Sequence, residues 1–220
     1  IELRVIAALA KDEAMIEAFR NGEDIHKATA AKVFEVPLEE VSREQRSNAK
    51  TVNFGIVYGV SAFGLSQQTD MSRKEAKAAI DGYFRTYPGI KVYMDDQVAF
   101  ARENGYVETI TGRRRYLKDI ESRNAVVRGH SERNAVNAPI QGSAADIIKL
   151  AMIEIDRAMR AEGLKSKMLL QVHDELVFDA VEGELEALKA LVVEKMEAAV
   201  DLAVPMIAEV GTGKTWLEAH

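Results

Sequence analysis

Apolar residues recur at intervals of three and four through roughly the first two-thirds of the chain, a spacing that predicts helices. Asp12 caps a helix carrying Met15, Ile16 and Phe19 that stops at Asn21-Gly22, and Asp24 caps the next, through Ile25, Ala28 and Val33 to Phe34 ahead of Pro37. Ser42-Arg43-Glu44-Gln45 has the form of a capping box and opens a helix lasting to Gly59. Ser72-Arg73-Lys74-Glu75 repeats the signal for a helix ending near Tyr87-Pro88-Gly89, and another follows over residues 90–104, closed by Gly105. The period then changes. Residues 106–110 and 113–117 read as a hairpin with Gly112 in its turn. Residues 123–137 return to helix, Pro139 predicts a break, and residues 141–161 are helical again with Ile147, Ile148, Met152 and Ile155 on the apolar side. Two apolar runs over 168–172 and 176–178, a helix over 184–200 and a short strand over 206–210 complete the pattern. Helices come first and strands late, so the predicted class is α+β and not a doubly wound sheet.

Composition narrows the field. At 220 residues with 47% hydrophobic and 29% charged positions, the chain can bury a real core and is not a disordered polyampholyte. No apolar run reaches the ~18 residues of a membrane span, so no membrane partner is expected. The absence of Cys excludes disulfides, thiolate metal sites and a Cys nucleophile, and suits a reducing cytoplasm. Net charge is −6 but unevenly placed. Acids dominate from Asp179 onward, whereas Arg113, Arg114, Arg115, Lys118, Arg123 and Arg128 cluster, compatible with a polyanion at one face or with a solvated surface. The chain opens inside an apolar periodic segment, Ile1-Glu2-Leu3-Arg4-Val5-Ile6, as expected for a piece of a longer protein.

Two constellations could carry chemistry. In Met168-Leu-Leu-Gln-Val-His-Asp-Glu-Leu-Val-Phe178, two strands meet at a tight turn around His173-Asp174 with neither Gly nor Asn to supply positive φ. Asp174 and Glu175 stand between apolar runs, and a carboxylate lodged near a core costs several kcal/mol unless paired or metal-bound. Either the acids sit in water on an exposed turn, or a carboxylate is held at a sheet edge for Mg²⁺, which takes one or two carboxylates plus phosphate oxygens. In the second constellation, Arg46, Lys50, Phe54 and Tyr58 are spaced by four, about 40° of helix rotation per step, and so form one stripe. Cations near a helix start suit an anion, and two rings beyond them can stack on a base; the alternative is a solvated basic end with aromatics in the core. Gly55 and Gly59 leave room for close approach. Gly211-Thr-Gly-Lys-Thr215 lacks the first Gly of a P-loop and reads as a simple loop. His26 and His130 lack metal-ligand spacing.

Taken together these residues carry a resemblance. Arg46-Ser-Asn-Ala-Lys50-Thr-Val-Asn-Phe54-Gly-Ile-Val-Tyr58-Gly59 resembles motif B of the family A DNA polymerases, Leu170-Gln-Val-His173-Asp174-Glu175-Leu-Val-Phe178 is similar to motif C, and Ile1-Glu2-Leu3-Arg4 to the second half of motif A. The likeness extends from Ile1 to the closing Trp216-Leu-Glu-Ala-His220. It implies a helical fingers subdomain plus a partial palm with a short antiparallel sheet: residues 1–23 a palm–fingers junction with the motif A remnant, 24–105 the fingers, and 106–220 the C-terminal palm.

The resemblance implies template-directed DNA synthesis: the primer 3′-hydroxyl attacks the α-phosphate of a dNTP, with two Mg²⁺ ions at the reacting oxygens. Arg46, Lys50 and His26 would contact the triphosphate, Lys50 also donating a proton to pyrophosphate. Phe54 would lie against the nucleotide and Tyr58 at the template side. Glu2 would exclude a ribose 2′-hydroxyl. Arg133, Asn137 and Gln141 would touch the primer–template minor groove, and His173 the primer end. Asp174 is the implied metal ligand, with Glu175 beside it among the catalytic acids. Its partner in the family is the first residue of an Asp-Tyr-Ser-Gln-Ile-Glu run, four positions before Ile1, so the 220 residues alone are expected to be inactive and their bare palm face to self-associate. The whole protein is expected at the nucleoid in the cytoplasm. A non-catalytic nucleic-acid-binding module and a single-subunit RNA polymerase are the rival readings.

Overall fold

The computed structural model describes residues 1–219. It divides into two compact units, one formed by residues 2–143 and the other by Ile1 with residues 144–219.

The first unit is mostly helical. Its helices are α1 (Glu2–Ala10), α2 (Glu13–Arg20), α3 (Ile25–Val33), α4 (Arg43–Val57), α5 (Ala62–Gln68), α6 (Arg73–Thr86) and α7 (Pro88–Asn104). The caps fall where the sequence puts them. Asp12 accepts from Met15 N at 3.0 Å, Asp24 from His26 N and Lys27 N, and both capping boxes close at Ser42–Gln45 and Ser72–Glu75. α5, capped by Ser61, is too short for its period to show in the sequence. α7 begins at Pro88, two residues before its expected start, because Pro suits the first helical position, where no N–H is required. The second oxygen of Asp12 accepts from Gly89 N at 2.9 Å, and a Cβ on Gly89 would lie 2.9 Å from the Ala10 carbonyl. Only glycine fits that junction. Ile6, Met15, Val52, Val57, Leu65, Tyr83, Tyr87 and Ile90 are fully buried, each large apolar side chain contributing about 1.5–3 kcal/mol. A hairpin of β1 (Tyr106–Glu108) and β2 (Arg114–Tyr116), with Tyr106 opposite Tyr116, closes a smaller core of Ala101, Val107, Leu117, Ile120 and Ala135.

α8 (Ala125–Ala161) overturns one expectation: it is a continuous helix of 37 residues with Pro139 inside it, not two helices separated by a break. Proline removes one backbone bond and crowds the carbonyl four residues back, at about 3 kcal/mol. Burial of Ala135, Val136 and Ile140 before and after it keeps the segment helical.

In the second unit, the C-terminal half of α8 buries Ala151, Ile155 and Met159 against Leu188, Leu191 and Val192 of α9 (Leu185–Glu197). Met168, Leu176 and Phe178 pack on this cluster from an antiparallel hairpin, β3 (Lys167–Val172) with β4 (Glu175–Asp179). A register shift between Met168 and Leu170 leaves Leu169 and Leu170 exposed. The expected strand over 206–210 is absent among the described residues. Its apolar alternation has no strand to pair with. The Glu197 carboxylate instead accepts from Ala208 N at 3.0 Å, and Ile207 and Val210 stay exposed. The Gly211–Thr215 stretch is a loop, as expected, before the four-residue α10 (Trp216–Ala219).

Candidate functional site

The residues singled out in the sequence fall into two groups, one in each unit. In the first unit they converge on α4. Arg46, Lys50, Phe54 and Tyr58 do lie along one face, with Tyr58 at the helix C-cap. Lys50, Phe54 and Tyr58, with Ser47, Thr51, Gly55, Val60 and Gln68, line a cavity of ≈ 450 Å³.

α3 packs beside α4 and supplies a third basic group. The Nδ1 of His26 lies 2.9 Å from Nδ2 of Asn53, and its ring is tilted against Phe54 with centroids 5.8 Å apart. Burial holds the imidazole below its ordinary pKa. Arg46 and Lys50 push the same way, and Asp24 opposes them. The first two effects win, so the ring is neutral at neutral pH. Asp24 uses both carboxylate oxygens. Oδ1 caps α3, and Oδ2 accepts from Arg46 Nε at 2.6 Å. Burial raises the Asp24 carboxyl, but the Arg46 bond, the backbone N–H groups and the Arg46 charge together hold it below the usual range.

At the other end of the ridge, the Tyr58 hydroxyl donates to Glu2 Oε2 at 2.6 Å, which joins the start of α1 to the end of α4. Burial, then the Glu2 bond and charge, push the phenol up to about 12, with a Gln141 hydrogen bond opposing. Glu2, Tyr58 and Gln141 therefore form one polar network. Gly59 follows at φ +73°, and the Arg133 side chain covers it so closely that a Cβ there would lie 2.8 Å from Arg133 Cγ. Asn137, one helical turn along α8 from Arg133, has a buried Oδ1 without a hydrogen-bond partner among the described residues.

The basic cluster is partly spent internally. Arg114 bonds to Glu108 at 2.7 Å and stacks on Tyr106, and Arg128 pairs with Glu132. Arg115, Lys118 and Arg123 are exposed.

In the second unit, the turn of the β3–β4 hairpin brings His173, Asp174 and Glu175 together. With no Gly or Asn available, His173 itself takes φ +53°, a region where His is enriched among non-glycine residues, and Gln171 Nε2 donates to its carbonyl at 2.8 Å. The Asp174 side chain is 54% exposed. The carboxylate is thus at the turn and open to solvent, not lodged in a core. Among the described residues no group of three or more His, Asp or Glu forms a metal site. The donor set is hard oxygen, one exposed carboxylate with a second beside it, which fits a cation that draws its remaining ligands from phosphate and water.

Sequence reasoning passed over Asn53 and gave Asp24 only a cap. A polar residue at 53, between buried Val52 and Ile56, was the available signal for the first; nothing local revealed the second role of Asp24, because Arg46 is 22 residues away.

Comparison with known proteins adds the context. The model of DNA polymerase family A matches residues 1–218. DNA polymerase I of Streptococcus pneumoniae serotype 4 is 56% identical over 220 residues, covering 100% of this chain and 25% of that protein. DNA polymerase I of Geobacillus stearothermophilus is 53% identical over 219 residues, again 100% of this chain and 25% of the relative. The chain thus spans about a quarter of the length of these relatives. Among solved structures, the POL domain of Pol1 from M. smegmatis, in complex with DNA primer-template and dNTP, superposes with a TM-score of 0.95 at 49% identity, covering 100% of this chain and 39% of that one.

Proposed function

We infer the function from one premise: this chain belongs to DNA polymerase family A. The activity proposed for the whole protein is template-directed transfer of a deoxynucleotide from dNTP to a primer 3′-hydroxyl, with primer–template DNA as partner. The observation that carries it is the convergence of His26, Arg46 and Lys50 beside Phe54 and the α4 cavity. His26 lies against the Phe54 ring, Lys50 shares the cavity lining with it, and Arg46 and Lys50 both act on His26, an arrangement that suits a triphosphate and the base and sugar attached to it.

In this reading Arg46, Lys50 and His26 bind the triphosphate, Lys50 is the proton donor to pyrophosphate, and Phe54 packs on the nucleotide. Tyr58 packs at the template side. Its hydroxyl holds Glu2 in one orientation, so the Glu2 carboxylate stands as a fixed barrier to a 2′-hydroxyl. Arg133, Asn137 and Gln141 touch the minor groove, where contacts are largely sequence-neutral, and His173 approaches the primer end. Asp174, aided by Glu175, is the chain's ligand for Mg²⁺. The metal, when bound, supplies Lewis-acid stabilisation of the charge that develops on phosphate oxygens. The protein's own groups position reactants and neutralise charge. The residues divide into fingers over 24–105 and palm over 106–220, with 1–23 at the junction. Among the described residues no helix is long and apolar enough to cross a membrane, and the proposed place of work is the nucleoid.

The test is Asp174→Ala in the full-length protein. Primer extension is lost while primer–template binding survives with its salt dependence intact. A purely nucleic-acid-binding module would keep all its measurable behaviour in this variant. Retained extension refutes the metal assignment.

A further inference from the structure

Asn53 stands on α4 next to Phe54, yet it is fully buried and takes no part in the cavity lining. An Asn in a helix interior is unfavourable by propensity, and a buried amide is costly unless both its ends are bonded. Here both ends are used across the fold. Nδ2 lies 2.9 Å from His26 Nδ1, and Oδ1 accepts from the Thr29 hydroxyl at 3.2 Å. Thr29, itself fully buried, shares that proton with the Ile25 carbonyl at 2.7 Å, and its oxygen sits 3.2 Å from the Tyr87 hydroxyl, which can donate to it. A polar chain, Tyr87 to Thr29 to Asn53 to His26, therefore runs from the core to the half-buried imidazole. With Oδ1 facing the Thr29 donor, the amide presents N–H to His26, and the ring nitrogen receiving it carries no proton. The remaining proton of the neutral ring is then on Nε2.

We propose that Asn53 is a positioning residue that fixes the tautomer and orientation of His26, so that neutral His26 offers Nε2–H as a hydrogen-bond donor to a phosphate oxygen of the incoming nucleotide. The inference rests on the proposed phosphate contact of His26. It explains why a burial-disfavoured imidazole, between two cations that also oppose its protonation, can still serve an anion: it donates without being charged. It also explains why the position holds Asn. Leu, of the same shape, offers no donor, and Asp would draw the proton to Nδ1 instead.

A double-mutant cycle in the full-length protein tests it, with single-nucleotide incorporation as the assay. Asn53→Leu raises the KM for dNTP about five- to tenfold, the order of one buried hydrogen bond, with a smaller change in kcat. In a His26→Ala background the same substitution has no further effect on KM. Equal effects in both backgrounds overturn the inference, because Asn53 would then act through the fold and not through His26. An unaltered KM for His26→Ala alone overturns the phosphate contact beneath it, and the inference with it. Should Asn53→Leu not fold, Thr29→Val takes its place. It leaves the amide but removes the hydroxyl that orients it, and raises KM about two- to threefold only when His26 is present; additivity has the same meaning. Nitrogen NMR of the histidine-labelled protein, with His26 identified by its loss in His26→Ala, shows Nδ1 unprotonated in the native protein. A protonated Nδ1 there refutes the assignment outright.

Discussion

Replacing Gly59 by Ala disturbs two things that can be separated. Gly59 closes α4 at φ +73°, where a non-glycine residue costs about 1–2 kcal/mol. The new methyl would also lie 2.8 Å from Arg133 Cγ and 3.0 Å from Cδ, in the middle of that side chain and not at its free end, so Arg133 must leave its rotamer. An off-rotamer side chain costs about 0.5–1.5 kcal/mol, and the sum is about 1.5–3.5 kcal/mol. For a chain of this size that is a fall in unfolding temperature of roughly 3–14 °C, read by helical circular dichroism on the 220-residue chain. Two controls divide the loss. Gly59→Asn restores tolerance of positive φ but keeps the contact, and Gly59→Ala in an Arg133→Ala background keeps the backbone strain but removes the contact. Both should fall short of the full effect. If Gly59→Ala costs the same with Arg133 and without it, the proposed close approach is wrong. If Gly59→Asn is as costly as Gly59→Ala, the backbone argument is wrong.

Other consequences follow from the same geometry. Glu2→Ala in the full-length protein relaxes discrimination against ribonucleotides by on the order of tenfold or more, measured as the ratio of kcat/KM for dNTP and rNTP; unchanged selectivity would remove Glu2 from the role of barrier. The Asp24 carboxyl is depressed in the folded state, so its contribution to stability is present above the unfolded carboxylate pKa and is lost as pH falls through the lower, folded value. Asp24→Asn retains the cap but flattens that acid limb in pH-dependent unfolding, and an acid limb of native steepness would contradict the pairing with Arg46. Leu169, Leu170, Ile153 and Ile207 are exposed in the second unit, so the 220-residue chain alone self-associates; a monodisperse monomer by light scattering at micromolar concentration would count against this.

What the sequence made legible was local. Caps at Asp12, Asp24, Ser42 and Ser72 are short-range hydrogen-bond arrangements, and each forms within three residues of the capping side chain. The α4 stripe is likewise a consequence of helix geometry alone. Errors arose where long-range packing overrode a local signal. Pro139 has the chemistry of a breaker, but apolar contacts on both sides of it hold α8 together. Residues 206–210 have the alternation of a strand, and a strand needs a neighbour that local pattern cannot supply. The site residues that went unread share this property. Asp24 meets Arg46 across 22 positions and Thr29 meets Asn53 across 24, and neither separation has a periodicity to betray it.

The same pairings bear on how a chain of net charge −6 could present the proposed phosphate site. Charges beyond about 8 Å are largely screened at physiological ionic strength, so a bound anion responds to its immediate neighbours and not to the total. Around α4 two neighbouring carboxylates are engaged. Asp24 is tied to a helix cap and to Arg46 Nε, and Glu2 accepts from Tyr58. Arg46 Nε is held by Asp24, and an ordered guanidinium loses less freedom on binding than a loose one. Asp24 thereby acts as scaffolding for the cation it partly neutralises. A negative charge bonded directly to one of its cations is what keeps the proposed triphosphate site in order.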